Sequence, residues 1–267
     1  MSTKGLFPAV SGAIAQDLKL QTIANNIANA NTTGFKRDGQ TFREYLTAAE
    51  KDPDVLQVPR VPASIESFYD IQGGDRGYVE SNGTFTNFSQ GQLRPTGSTL
   101  DVAIEGKGLF EVMTPQGVRL SRNGQLKIDS TGTLVTKEGF PVLKEGTQDP
   151  AQRRIQVDGR NLTISNSGDI YDNGNQLGRL SVVEVANPDS LQKVGSSMYA
   201  LKPNFAETLI PSVDSQVKQG FVELSNVNIV EEMTDMISAS RSFETAQRAM
   251  KAFDQMDDKL VNQVPKT

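Results

Sequence analysis

Residues 6–30 read LFPAVSGAIAQDLKLQTIANNIANA, and residues 236–260 read MISASRSFETAQRAMKAFDQMDDKL. In the first stretch apolar or small side chains recur at Leu6, Ala9, Ala13, Leu20, Ile23, Ile27 and Ala30, with Gln16 as the polar break in the series. In the second they recur at Met236, Ala239, Phe243, Ala246, Met250, Phe253 and Leu260, with Asp257 as the break. Steps of three and four residues keep one face of a helix apolar, so each end of the chain predicts a long helix with a heptad seam.

The first helix is expected from about Lys4 to Thr33. Gly34 stands at its C′ position, and Lys36 and Arg37 follow to complement the carbonyl end. The second is expected from about Val222 to Leu260, with Glu231 and Glu232 suiting its N-terminal dipole. After Phe35 the helical period dissolves, and Pro53, Pro59 and Pro62 interrupt the chain. This stretch reads as an extended arm or, equally, as a solvated loop.

The middle of the chain is different. Of the 23 glycines, 19 fall between Gly73 and Gly220. Apolar residues alternate at Leu100, Val102 and Ile104, at Leu126 and Ile128, at Leu162 and Ile164, and at Val183 and Val185. Asn82-Gly83, Asn123-Gly124, Asn173-Gly174 and Asp158-Gly159 are dipeptides suited to hairpin turns that need φ > 0. Short strands between frequent turns predict a β-sandwich or open barrel. The expected fold is therefore α+β. An N-terminal helix (1–35) and a C-terminal helix (221–267) pair as coiled-coil helices in one helical domain, with an extended Pro-containing arm (36–72) and a mostly antiparallel β body (73–220).

Composition narrows the chemistry. The 267 residues include no Cys, no His and no Trp. A thiol nucleophile, a thiolate metal site and the commonest general base are therefore absent, and no cofactor is expected. The net charge is −5, and Lys and Arg are dispersed, which argues against a nucleic-acid partner. No apolar run approaches the ~18 residues of a membrane span, and residues 1–20 do not read as a signal peptide. A small-molecule substrate would need a carboxylate pair in a cleft. Asp101 and Glu105 are the nearest pair, but strand alternation places them on a solvent face.

Other motifs have plain readings. Gly106-Lys107-Gly108 lacks the spacing of a phosphate loop and precedes a strand, so a tight β turn is expected. Asn31, Asn82, Asn87 and Asn161 begin N-x-S/T triplets that arise readily by chance. Met233, Met236, Met250 and Met256 at helical spacing read as seam packing. Asn25, Asn26, Asn29 and Asn31 crowd the end of the first helix. Asn is a poor helix former, so either the helix frays there or the amides hold specific partners.

Three blocks of sequence carry a resemblance. Residues 23–36, IANNIANANTTGFK, preceded by Ser11-Gly12-Ala13, resemble the N-terminal signature of bacterial flagellar axial proteins, the rod and hook family. Residues 100–110, LDVAIEGKGLF, with Ser121-Arg122-Asn123-Gly124, resemble its β-domain core. Residues 225–233, SNVNIVEEM, with Met236-Ile237 and Arg241-Ser242-Phe243-Glu244, resemble its C-terminal signature. The length and single body domain resemble the proximal-rod type, with the distal-rod type as runner-up.

The resemblance implies a structural subunit with no enzymatic activity. It would polymerise into a helical tube that transmits motor torque to the hook and encloses the export channel. Its implied partners are further copies of itself, other rod proteins above and below, and the flagellar export apparatus. Its implied place is the basal body, reached in the periplasm by the flagellar type III route, and a chain without Cys suits that oxidising space. Leu20, Ile23, Asn25, Asn26, Ile27, Asn29, Asn31, Asn226, Asn228, Met233, Met236, Ile237, Phe243, Met250 and Phe253 are the expected assembly interface. Two readings from other classes are a carboxylate-dependent hydrolase and a non-flagellar coiled-coil adaptor that forms a discrete dimer.

Overall fold

A computed structural model describes residues 6–46, 77–158, 162–195, 197–203, 209–212 and 214–263. The expected arm beyond residue 46, with Pro53, Pro59 and Pro62, lies outside them, as do Lys4, Gly159 of the Asp158-Gly159 pair, Asn161, and the side chains of Leu6, Asp257 and Leu260. The two ends are helical: α1 spans Leu6–Ala28 and α2 spans Ile229–Gln263. Strands fill the described residues between them, so the chain is α+β with a mostly β body.

The chain divides into two compact units. The first takes in Met1–Asn25, Gly39–Thr84 and Val230–Thr267, and the second Asn26–Asp38 and Phe85–Ile229. Residues 26–38 and 221–229 thus belong with the second unit, and residues 77–84 with the first.

In the first unit, strand β1 (Asp38–Leu46) pairs with β2 (Gly77–Thr86) in a two-stranded ribbon. The start of the expected arm is thus a strand. Side chains at helical spacing on α1 meet this ribbon. Thr22 Oγ1 donates to Gln40 Oε1 (3.3 Å), and the Val79 amide donates to Ser11 Oγ (3.4 Å). Between them Ala15 is 3% exposed. Gln40 Nε2 in turn donates to Ser81 Oγ (2.8 Å) across the ribbon.

The heptad stripe of α2 is visible in its burial. Ala239 is buried and Met236, Phe243, Ala246, Met250 and Phe253 are half-buried, while Arg241, Glu244, Gln247 and Lys251 between them are exposed. Glu231 and Glu232 lie in its first turn, where their negative charge complements the positive end of the helix dipole.

Both helices are shorter at their inner ends than the sequence predicts. α1 stops at Ala28 because the amides of Asn29, Ala30 and Thr32 bond to carbonyls three residues back, tightening the last turn. α2 begins at Ile229 rather than Val222, because Phe221–Glu223 forms strand β17 and pairs with β3 (Leu93–Pro95).

The second unit is built from antiparallel pairs. Its largest sheet has six strands in the order β13 (Leu191–Gly195), β14 (Met198–Leu201), β6 (Gly117–Ser121), β5 (Leu109–Thr114), β12 (Val182–Glu184), β15 (Ile210–Pro211). A three-stranded sheet joins β11 (Asn175–Arg179), β10 (Asp169–Asp172) and β9 (Leu162–Ile164), and two further pairs are β16 (Gln216–Gln219) with β4 (Val102–Glu105) and β7 (Leu126–Ile128) with β8 (Leu134–Thr136).

Adjacent residues of β5 serve different cores, because side chains alternate across a strand. Phe110 packs with Val102, Ile104, Leu134 and Ile170, whereas Leu109 packs with Leu120, Val183, Leu191 and Tyr199. A strand covered on both faces buries even its polar residues. Glu111 is 6% exposed, and its Oε2 accepts bonds from Arg153 Nη1 and Ser181 Oγ, both at 2.6 Å.

The Asn-Gly pairs separate into different roles. Asn173 (φ 48°) and Gly174 (φ 86°) turn β10 into β11, closing the Asp172–Asn175 pair as expected. Asn82-Gly83 lies inside β2 and is not a hairpin turn. Asn123-Gly124 links β6 to β7, which do not pair with each other. There the backbone itself needs glycine, because a Cβ on Gly124 would lie 1.6 Å from the Val102 carbonyl oxygen.

The β10–β11 hairpin carries an acid-sensitive anchor. The Arg179 hydrogen bond (Nε to Asp169 Oδ1, 3.0 Å), joined by Ser167, holds the Asp169 carboxyl below its ordinary value of 3.8. The unfolded chain therefore takes up this proton first as pH falls. The contribution is full above pH 3.8 and is lost as pH drops through the lower folded value. Asp169→Asn should flatten the acid side of the stability profile below pH 3.8, measured as melting temperature against pH.

Candidate functional site

The stretch that follows α1, Thr33 to Asp38, is held residue by residue. Gly34 adopts φ 68°, and a Cβ there would lie 2.5 Å from the Asn123 amide nitrogen. Its own amide donates to the Glu223 carbonyl (2.8 Å). Thr33 Oγ1 donates to Asn123 Oδ1 (3.0 Å). Phe35 is buried beneath the Lys193 ammonium, which lies 4.0 Å from the ring centroid.

Lys36 is the centre of this arrangement. It does not complement the carbonyl end of α1 in solvent, as its position suggests, because it is 1% exposed. Its Nζ donates to Glu223 Oε1 (2.6 Å) and to the Ser89 carbonyl (2.8 Å). Glu223 Oε1 also accepts from the Gly91 amide (2.7 Å), and Oε2 accepts from Arg122 Nε (2.5 Å). The rest of the Arg122 guanidinium donates to the carbonyls of Ile104 (3.0 Å), Gly106 (2.5 Å) and Gly108. One carboxylate thus binds two cations and one amide, and all three charged side chains are buried. Burial pushes the Lys36 ammonium below its ordinary value, against the opposing pull of Glu223, and the neighbouring Arg122 adds to the lowering.

Two asparagines brace the same region. Asn26 is 1% exposed and pairs with the Asp38 backbone, its Nδ2 donating to the carbonyl (2.8 Å) and its Oδ1 accepting from the amide (3.0 Å). Asn226 Oδ1 accepts from the Arg37 amide (2.7 Å), and its Nδ2 donates to the carbonyls of Asn87 (2.9 Å) and Ser89 (3.1 Å). Lys193 completes the brace through Asp38 Oδ2 (2.7 Å) and the Lys36 carbonyl (2.9 Å). Burial lowers the Lys193 ammonium as well.

The remaining residues expected at an assembly interface are spread along the helices. Ile23 is buried. Leu20, Ile27, Asn29, Met236, Phe243, Met250 and Phe253 are half-buried, and Asn25, Asn31, Asn228, Met233 and Ile237 are exposed. The structure brings Asn26 and Asn226 to one place only through the segment they both grip. Lys36, Arg122 and Glu223 were missed as site residues. The available signal was a charge inside an apolar run, Val222-Glu223-Leu224. Nothing in spacing alone paired it with residues 187 and 101 positions away.

Catalytic chemistry has little to work with here. Glu105 is exposed and faces Lys218 at 3.4 Å. Gly106 and Gly108 use their carbonyls on Arg122 rather than their amides on an anion. Among the described residues, no group of three or more carboxylates is placed to hold a metal, and no helix is long and apolar enough to cross a membrane.

Three family models match in chain order. Residues 8–36 match the flagella basal body rod protein family. Residues 103–172 match the D1 domain of the flagellar hook protein FlgE/F/G, and residues 218–264 match the flagellar basal body rod FlgEFG protein C-terminal region. The chain is 32% identical over 270 residues to the flagellar basal-body rod protein FlgG of Bacillus subtilis, covering 97% of this chain and 98% of that one. The chain belongs to the flagellar basal-body rod protein family. It is also 32% identical to FlgG of Agrobacterium fabrum (95% and 96% covered) and 31% identical to the rod protein FlgF of Rhizobium meliloti (96% of each). A rod protein is a structural subunit, and the residues reported above are those that shape it rather than those that turn over a substrate.

The buried cluster of this rod protein should be intolerant of charge loss. Removing one partner of a buried ion pair typically costs about 3–5 kcal/mol, because the other charge is left uncompensated. Glu223→Gln should therefore lower unfolding stability by about that amount. Lys218→Ala, which removes a solvent-exposed pair, should cost about 1 kcal/mol or less. Equilibrium denaturant unfolding of the two variants provides the comparison.

Proposed function

We propose that the subunit polymerises into a helical tube within the rod, that the tube transmits motor torque to the hook, and that its lumen is the export channel for later subunits. The observation that carries this reading is an exposed apolar stripe on α2. Val230, Met233 and Ile237 are 72%, 50% and 54% exposed, on a helix whose opposite stripe is sheltered. Covering such side chains with a neighbour gains about 25 cal/mol per Å², and contiguous exposed apolar surface is a mark of an interaction site. Phe7 (51%) and Ile14 (57%) offer a second stripe on α1. Two different stripes on one subunit suit a heterologous contact that repeats along an axis without closing.

In this reading the two heptad seams pair as coiled-coil helices, consistent with the membership of α1 and α2 in one compact unit. The assembly surface comprises Leu20, Ile23, Asn25, Ile27, Asn29, Asn31, Asn228, Met233, Met236, Ile237, Phe243, Met250 and Phe253. Asn26 and Asn226 act inside the subunit by placing the segment after α1. The neighbours are further copies and other rod proteins, and delivery runs through the flagellar type III export apparatus to the periplasmic basal body. The place proposed is the proximal rod, on Thr234-Asp235-Met236-Ile237 and Arg241-Ser242-Phe243-Glu244, and imaging the chain in isolated basal bodies tests it against the distal rod.

Met233→Asp with Ile237→Asp should leave subunit stability within about 0.5 kcal/mol per substitution, since both side chains are exposed. The variant should still be exported, but rods and swimming should be lost. Normal rods in the doubly substituted strain would remove this stripe from the interface.

A further inference from the structure

The run from Gln216 to Asn226 reaches stretches of the second unit that lie far from it in sequence. β16 pairs with β4, with Val217 opposite Ile104 and Gln219 opposite Val102, and β17 pairs with β3. Among the described residues, β3 and β4 have no other strand partner. Yet Val102, Ala103 and Ile104 of β4 are wholly buried. Without β16 the ladder bonds of that strand would be lost inside the core, where unpaired backbone groups are costly.

The same run brings core residues of its own. Val217 is 2% exposed and packs in one cluster with Val102, Ile104 and Ile170, and Val222 is wholly buried. Its polar groups fasten the other segments. Gln219 Nε2 donates to the carbonyls of Thr99 (2.7 Å) and Leu162 (2.8 Å), and its Oε1 accepts from the Ile164 amide (3.1 Å). The amides of Val217, Gly220 and Leu224 donate to the carbonyls of Asn166 (2.9 Å), Asp101 (2.7 Å) and Gln92 (2.9 Å). Glu223 neutralises Lys36 and Arg122, and Asn226 holds the Arg37 amide.

Much of the rest of the unit closes locally. β5 with β6, β7 with β8, β9 with β10 and β13 with β14 are antiparallel pairs of strands adjacent in sequence. An isolated hairpin is marginal in water, and none of these supplies the Glu223 carboxylate. Every partner named for the run 216–226 precedes it in sequence, and a chain is synthesised from its N-terminus.

We propose that residues 216–226 are a closing strap on which folding of the second unit waits. Local hairpins do not persist until the strap docks, so the growing chain stays open until these residues have been made. An open chain suits passage through a channel, but the strap is read from contacts within one unit and does not rest on the tube.

The test follows refolding of the full chain from denaturant by pulsed amide exchange. Amides of β5 and β6 should gain protection in the same phase as those of β16 and β17. Native protection of β5 and β6 in an earlier phase would overturn the proposal. Two variants give a second reading. Val222→Ala and Glu223→Gln should each slow refolding about tenfold or more, because a contact needed at the barrier acts on the folding rate. Unchanged refolding of Val222→Ala, with its destabilisation appearing as faster unfolding, would place docking after the barrier and overturn the proposal as well. Should Glu223→Gln not fold at all, the labelling of the unsubstituted chain and the Val222→Ala kinetics decide by themselves. None of these measurements involves assembly, so the rod reading stands or falls separately.

Discussion

The Glu223 carboxylate is the contact on which the second unit depends. It lies near the end of the β body, accepts Lys36 from the segment after α1, and accepts Arg122 from the link between β6 and β7. Ion pairs removed from water carry a desolvation cost that only close geometry and full hydrogen bonding offset. Here both oxygens are used, and the remaining Arg122 donors end on the carbonyls of Ile104 in β4 and of Gly106 and Gly108 just after it. Such a cluster discriminates strongly between correct and incorrect register, because a shift in any one segment would strand a buried charge.

The same cluster joins segments from opposite sides of the β strands in sequence. Residues 26–38 come from the N-terminal side and 221–229 from the C-terminal side, and both belong to the second unit. Gly34 is required where the backbone presses on Arg122 and Asn123, and Lys36 is required two residues later by Glu223. Asn226 then ties Arg37 to the carbonyls of Asn87 and Ser89. A fragment cut at residues 73 and 220 would lack Lys36, Glu223 and Asn226 together, and would leave the Arg122 charge buried without its carboxylate.

A rod subunit must combine a firmly specified body with surfaces that gain from neighbours. The described structure separates these demands by position along the chain. Asn26, Lys36, Glu223 and Asn226 near the inner ends of the helices are bonded inside the subunit, while Val230, Met233 and Ile237 on α2 and Phe7 and Ile14 on α1 keep apolar area exposed.

The helices were legible in the sequence because a heptad repeat is a local property. The seam positions recur at steps of three and four, and the burial of Ala239 beside the half-buried Met236, Phe243 and Met250 follows that face. Strand positions such as Val102 and Ile104 and the turn at Asn173-Gly174 were equally local, and the family signatures lay in contiguous blocks. The helix ends were not legible, since α2 starts at Ile229 only because Phe221–Glu223 is taken by β3. Nor could spacing distinguish Gly124, a contact with Val102, from Gly174, a turn. The pairing of Lys36 and Arg122 with Glu223 belongs wholly to tertiary structure. Local pattern records which face of an element is apolar, but a buried charge becomes tolerable only when a partner distant in sequence arrives to neutralise it.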